Sequence, residues 1–345
     1  MNYKFSVITE DDLSSIKNQL LNFDIDIYHS MEWLLLNKGL QEGEIYCIFL
    51  EDEKNCAFFP LIKRKIKNTS FFDLITPYGY GGVAFKKNTD TDFKENIFEL
   101  LRDCLSNTDC ISVFLRLHPL LNNNVKEGEF VFGNGVTLAT SFNSSYSDLY
   151  NKYSSGHKYD LKKSKKNENI SIVDDIDFVF FDDFIEIYLE TMRYLQATDF
   201  YFFDREYFYK MKCLLADKLK LVVVKLNEQV IGASLFMLDS EIIQYHLSGT
   251  TIEGKKYQPS KLILDYMIDW GVSKGYHFLH LGGGVGAQQD ALYKFKKGFS
   301  ADEYSFYTVR LITNNTVYRQ LCLDLKFIDT EIDNISNFFP LYRKA

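Results

Sequence analysis

The order of elements constrains this chain more than any single motif. Twice along its 345 residues a helix, a pair of strand-like runs on a short polar link, a second helix and a further strand can be read in succession. In the first pass the helix lies at 10–22, where Thr9 and Glu10-Asp11-Asp12 suit its N-terminus. The runs 45–52 and 55–66 meet at Glu53-Lys54-Asn55 and predict a hairpin. A helix at 92–105 and a strand at 111–118 follow. In the second pass a Lys-rich helix covers 158–168 and an aromatic helical stretch covers 180–216. Strands at 220–226 and 230–238 flank Asn227-Glu228-Gln229, and another strand runs over 242–249. A helix at 259–273 has Pro259 near its start and Gly275 just past its end. A strand at 276–283, a Gly-rich loop, a helix at 290–298 and a strand at 303–312 complete the pass. Strands alternating with helices, without letter-for-letter repetition, predict an α/β (α+β) fold of two related lobes. The Ser, Gly and Asn content rises over 140–157, which sets the expected domains at 1–150 and 151–345.

Charge and cysteine usage narrow the partners. A net charge of −8 argues against a life of non-specific nucleic-acid binding, so no DNA partner is expected. None of the 6 cysteines forms a CxxC pair, so zinc spacing is absent and reduced thiols are expected, with no metal. The first 21 residues lack an apolar signal segment, and no run of 18 apolar residues occurs. The expected compartment is the cytoplasm, with the inner membrane face open to it for a lipid-linked substrate.

Five segments could carry chemistry. Lys158, Lys162 and Lys165 fall at i, i+4 and i+7, on one helix face suited to an anion, or simply a solvated face. Along 242–249, Gln244, His246 and Ser248 alternate with apolar residues. A polar face on a covered strand suggests a pocket, with His246 as general base, although a satisfied core histidine fits as well. In 281–300 a Gly run joins a strand to a helix, exposing backbone N–H groups at Gly283 and Gly284. Gly282-x-Gly284-x-x-Ala287 formally fits a dinucleotide fingerprint, but its place late in the chain argues against one. Lys294, Lys296 and Lys297 crowd the helix that follows. The loop 76–85 sets Tyr78 and Tyr80 among glycines that allow close backbone approach. Residues 178–209 hold 13 of the chain's aromatics around Arg193, which suits core, lobe interface and acceptor cleft. P-loop, HExxH, GxSxG and EF-hand patterns are absent, so NTPase, zinc-hydrolase and serine-nucleophile chemistry lack support.

Taken in order, TPYGYGG, FLRLHPLLNN, GHKYDLKKSKK, ETMRYLQATDFYFF, YHLSGT and LHLGGG…LYKFKKGFS resemble the Fem-like branch of the GNAT acyltransferase superfamily, over about 28–321. The resemblance implies two tandem GNAT-like lobes, each a mixed, mostly antiparallel sheet flanked by helices. It implies transfer of an acyl or aminoacyl group to an amine of a small molecule or of a cell-envelope precursor such as an amino sugar or peptide. The donor is an acyl-CoA (acetyl-CoA), which the acidic net charge favours, or an aminoacyl-tRNA. The family's Phe-Lys pair falls on Phe295-Lys296, with Lys296 in the acyl-transfer site. His246 or Asp290 is then the acceptor of the amine's proton. A lysine four residues after a tryptophan contacts substrate phosphate in the family. Here Trp33 is followed at that spacing by Asn37, with Lys38 one further on. The rival class is a non-catalytic module that binds an envelope precursor.

Overall fold

The computed structural model describes residues 3–239, 241–284, 288–335 and 338–344. The chain begins with β1 (Lys4–Ile8) and two short helices, α1 (Leu13–Gln19) and α2 (Met31–Asn37). Strands β2 (Glu44–Ile45), β3 (Cys47–Glu51), β4 (Cys56–Phe59), β5 (Ile62–Lys65), β6 (Phe72–Ile75) and β7 (Ala84–Phe85) follow. Helix α3 (Thr91–Leu105) leads into β8 (Cys110–Arg116) and the long β9 (Val131–Ser141). The predicted hairpin forms between β3 and β4, antiparallel with Glu51 opposite Cys56. Its second arm ends sooner than expected. Proline has no N–H to give a ladder, and after Pro60 the chain resumes as β5, in another sheet.

The second half holds α4 (Tyr146–Lys152), α5 (Ser155–Lys165), β10 (Ile170–Asp174), α6 (Phe181–Tyr194) and α7 (Arg205–Leu215). Then come β11 (Leu219–Leu226), β12 (Gln229–Asp239), β13 (Ile242–Thr250), α8 (Pro259–Lys274), β14 (Phe278–Gly282), α9 (Ala291–Lys297), β15 (Asp302–Ile312), α10 (Asn315–Asp324) and α11 (Asp329–Ile332). No helix among the described residues is long and apolar enough to cross a membrane.

Contacts divide the chain into Met1–Gly135 with Ser305–Ala345, and Val136–Tyr304. The sequence reading set one boundary at residue 150. The structure crosses between units inside β9 and again inside β15. The sequence reading assigns no strand around Gly133, Asn134 and Gly135, yet β9 runs eleven residues through them. The Ser-rich segment at the expected boundary holds α4, whose N-cap Ser145 accepts from Asp148 N–H.

In the first unit β1-β3-β4-β7 form one sheet, and β15-β8-β6-β5-β2 lie in that order in another. Phe93, Ile97 and Leu101 recur on one face of α3 and bury against Leu50, Phe59, Leu115, Val309 and Leu311. Helix α10 and the C-terminal segment add a second cluster around Tyr318, Phe339 and Tyr342. In the second unit the order is β10-β11-β12-β13-β14-β9. Helix α8 buries Leu262, Ile263, Met267 and Ile268 against Val222, Val224, Phe236, Ile243 and Leu279 of that sheet.

Candidate active site

Strands β13 and β14 run parallel, but only briefly. Ile242, Ile243 and Gln244 pair with Phe278, Leu279 and His280, and pairing then stops although β13 continues to Thr250. The cause lies on the other side of β13. Leu247 faces Leu235 of β12 and Tyr245 faces Phe236, so His246 is an extra residue in the ladder. Such a bulge bends its strand and raises the local twist. The two strands splay, and the edges beyond Gln244 and His280 carry no pairing to each other.

The bulge also overturns the expected alternation. Ser248 lies opposite Ser234 and Gln244 opposite Met237, three residues apart on β12. An odd separation puts Ser248 and Gln244 on opposite faces. Gln244 is buried and its side-chain oxygen accepts from His280 Nδ1–H at 2.7 Å. Tyr245 takes the place expected of His246: it falls on the same face as Ser248 and Ser234, whose hydroxyls are 2.8 Å apart. Burial pushes the pKa of His246 down to about 3, which leaves it neutral and a weak base.

The short helix α9 brings the lysine. Asp290 caps it, accepting from Tyr293 N–H at 2.8 Å. Lys296 is 7% exposed, and its ammonium donates to the Gly283 carbonyl at 2.7 Å. The Tyr245 ring lies 6.0 Å from the ammonium. Burial lowers the Lys296 pKa to about 8, and the Asp290 carboxylate opposes the shift. Gly284 lies against Asp290: a Cβ there would fall 2.4 Å from its Oδ1. Ala287, with Val285 and Gly286, lies outside the described residues. Phe295 is half-buried beside the core. Helix α6 closes on the end of β13, where a Cβ on Gly249 would fall 2.7 Å from the Ile187 carbonyl oxygen, and Thr250 N–H donates to Thr191 at 3.0 Å.

Gln244, His246 and Ser248 on β13 and Gly283, Gly284, Asp290, Phe295 and Lys296 thus come from the elements that meet at the splay, while the remaining expected residues lie elsewhere. Lys158 donates to the Asn151 carbonyl at 3.0 Å, Lys165 pairs with buried Asp265 at 2.6 Å, and Lys162 is exposed. Arg193 is exposed in the last turn of α6. In the first unit Lys38 pairs with Glu10 at 2.5 Å, and the Asn37 amide donates to the Trp33 carbonyl at 2.8 Å. The Tyr78 carbonyl accepts from the Trp33 indole at 2.7 Å, and Tyr80 packs edge-on against Phe306.

Residues 152–297 match the acetyltransferase (GNAT) domain family. The second unit carries a GNAT acyltransferase domain. Over nearly the whole chain the fold is similar to that of FemX, with a TM-score of 0.63, 13% identity, 92% of this chain and 99% of FemX covered. A conserved protein of unknown function from Bacteroides thetaiotaomicron gives 0.57 at 11% identity, covering 90% of this chain and all of that one (100%). A domain assigned to the C-terminus of a lysylphosphatidylglycerol synthetase from Agrobacterium fabrum gives 0.54 at 10%, covering 92% and 95%. The fold is that of the Fem-like GNAT branch, two tandem GNAT-like lobes, and the chain is an acyltransferase. No curated protein sequence matches it significantly.

Proposed function

We propose that this chain is an N-acyltransferase that moves the acyl group of an acyl-CoA to an amine, the amine belonging to a small molecule or a cell-envelope precursor. The observation that carries the reading is the buried Lys296 ammonium, held on the Gly283 carbonyl beside the splayed strands. An extended amide-bearing arm, such as the pantetheine of CoA, can add between the splayed strands as a short strand would. The thioester carbonyl then sits near a cation kept out of water. The amine nitrogen attacks the carbonyl carbon, and the oxygen's growing negative charge is stabilised by Lys296. The C–N bond forms, the C–S bond breaks, and the thiolate leaves with the electron pair. The amine's proton passes to Asp290 or to solvent, since His246 is too weak a base to hold it. Attack is direct, with no activated nucleophile among the described residues of the site.

Net charge supports the small donor. At −8, with Lys158 and Lys165 already engaged, the chain presents a poor surface for tRNA. Native mass spectrometry against acetyl-CoA and charged tRNA tests the reading. A 1:1 acetyl-CoA complex without a tRNA complex is expected. A tRNA complex without acetyl-CoA binding overturns the donor, and failure to acylate any member of a broad amine panel overturns catalysis in favour of a binding module.

A further inference from the structure

Helix α9 has seven residues, too few to hold itself in water. Its last carbonyls are satisfied only weakly by the chain that follows, Gly298 N–H donating to the Phe295 carbonyl at 3.3 Å and Phe299 N–H to the Lys296 carbonyl at 3.2 Å. Three further bonds tie the end of the helix and the two residues after it to their neighbours. His157, in the first turn of α5, donates from Nε2–H to the Phe295 carbonyl at 2.8 Å. Ser154 N–H donates to the Gly298 carbonyl at 3.0 Å, and the Thr140 hydroxyl to the Phe299 carbonyl at 3.1 Å. The His157 bond lands on the residue immediately before Lys296. Its ring is buried edge-on against Phe299, centroids 4.5 Å apart, and 5.7 Å from Phe295. Gly298 makes room for it, since a Cβ there would fall 2.6 Å from the imidazole.

We infer that His157 is a positioning residue for acyl transfer: its Nε2–H clamps the end of α9 and thereby fixes the Lys296 ammonium at the Gly283 carbonyl. The inference rests on the role given to Lys296 above. A carbonyl acceptor requires the proton on Nε2, and protonating the ring would keep that proton, so the clamp itself is independent of pH. The charged groups facing it are Lys261 and Asp160, paired with each other at 2.5 Å. Asp290 is the charged group that faces Lys296. A loosened clamp lets water reach the ammonium, so Lys296 should titrate nearer the ordinary lysine value.

The test compares H157F, which keeps a ring without the donor, with H157Q, which keeps a donor. The full chain is used, with acetyl-CoA as probe and an amine that it acylates. H157F is expected to lower kcat by about 10- to 100-fold through misplacement of Lys296. KM for acetyl-CoA should change less than about threefold, and H157Q should recover most of the loss. In parallel, Lys296 is titrated without turnover, by competitive labelling with acetic anhydride across pH and mass spectrometry. H157F should move that titration upward and H157Q should move it back. Unchanged kcat and unchanged titration in H157F overturn the inference, as does loss of kcat in H157F with no shift in titration. Full activity in K296A would instead remove Lys296 from catalysis, and the labelling titration would still decide whether His157 positions it.

Discussion

Lys296 is buried as an ammonium with a carbonyl for a partner, and that choice costs stability. Against an ordinary value of 10.5, a folded pKa of about 8 corresponds to a penalty on the order of 3 kcal/mol at neutral pH. Lys296→Met should therefore raise stability by about 1–3 kcal/mol in urea unfolding, the lost bond to Gly283 offsetting part of the gain. The same change should cut kcat/KM by about 100- to 1,000-fold. The pH dependence has a definite sign. Below pH 8 the lysine is charged in both states and the penalty is complete. Between about 8 and 10.5 the unfolded chain binds more protons, so wild-type stability gains on the Met variant as pH rises. Activity should fall over the same rise, with a basic limb near pH 8 that is absent from the residual rate of the Met variant. The Gly loop pointed to Lys294, Lys296 and Lys297 alike, and the resemblance to the Fem-like branch singled out Lys296 through its Phe-Lys pair. Gly283 and Asp290 were legible beside it, whereas Tyr245 and His157 were not: both are ordinary core residues by pattern, and only tertiary packing brings them near.

At the level of elements, one extra residue in β13 does the most. Strict alternation makes Gln244, His246 and Ser248 look like one face, and a bulge is invisible to a reading that counts by twos. Removing His246 should restore the ladder, straighten β13 and close the gap to β14. The expected result is a folded chain by circular dichroism whose acetyl-CoA affinity, measured by calorimetry, is at least about tenfold weaker. Helix limits were easier. Pro259 and Gly275 bracket α8 as read, and α3 begins and ends within a residue of expectation, because caps and breakers are local chemistry. Strand β9 escaped because Gly-Asn-Gly reads as a turn in the absence of its sheet.

On the scale of the molecule, the two-lobe expectation held as architecture, while the C-terminal segment went to the other lobe. Residues 305–345 pack with the first unit, where Arg343 bonds Asp73 at 2.9 Å and Tyr342 lies 2.8 Å from Ser112. Tyr318→Ala should cost the first unit about 3–5 kcal/mol. Hydrogen exchange should then show protection lost in β8 (Cys110–Arg116) before β12 (Gln229–Asp239). Order along the chain hid this arrangement, since nothing in a linear pattern says which lobe a late helix will join. It bears on birth as well as on stability. During translation the residues of the second unit, Val136–Tyr304, are all made before Ser305 is added. The first lobe, although begun earlier, still lacks β15, the strand that sets Val309 opposite Leu115. The second unit is therefore complete in sequence while its older neighbour still waits for its last strand to emerge.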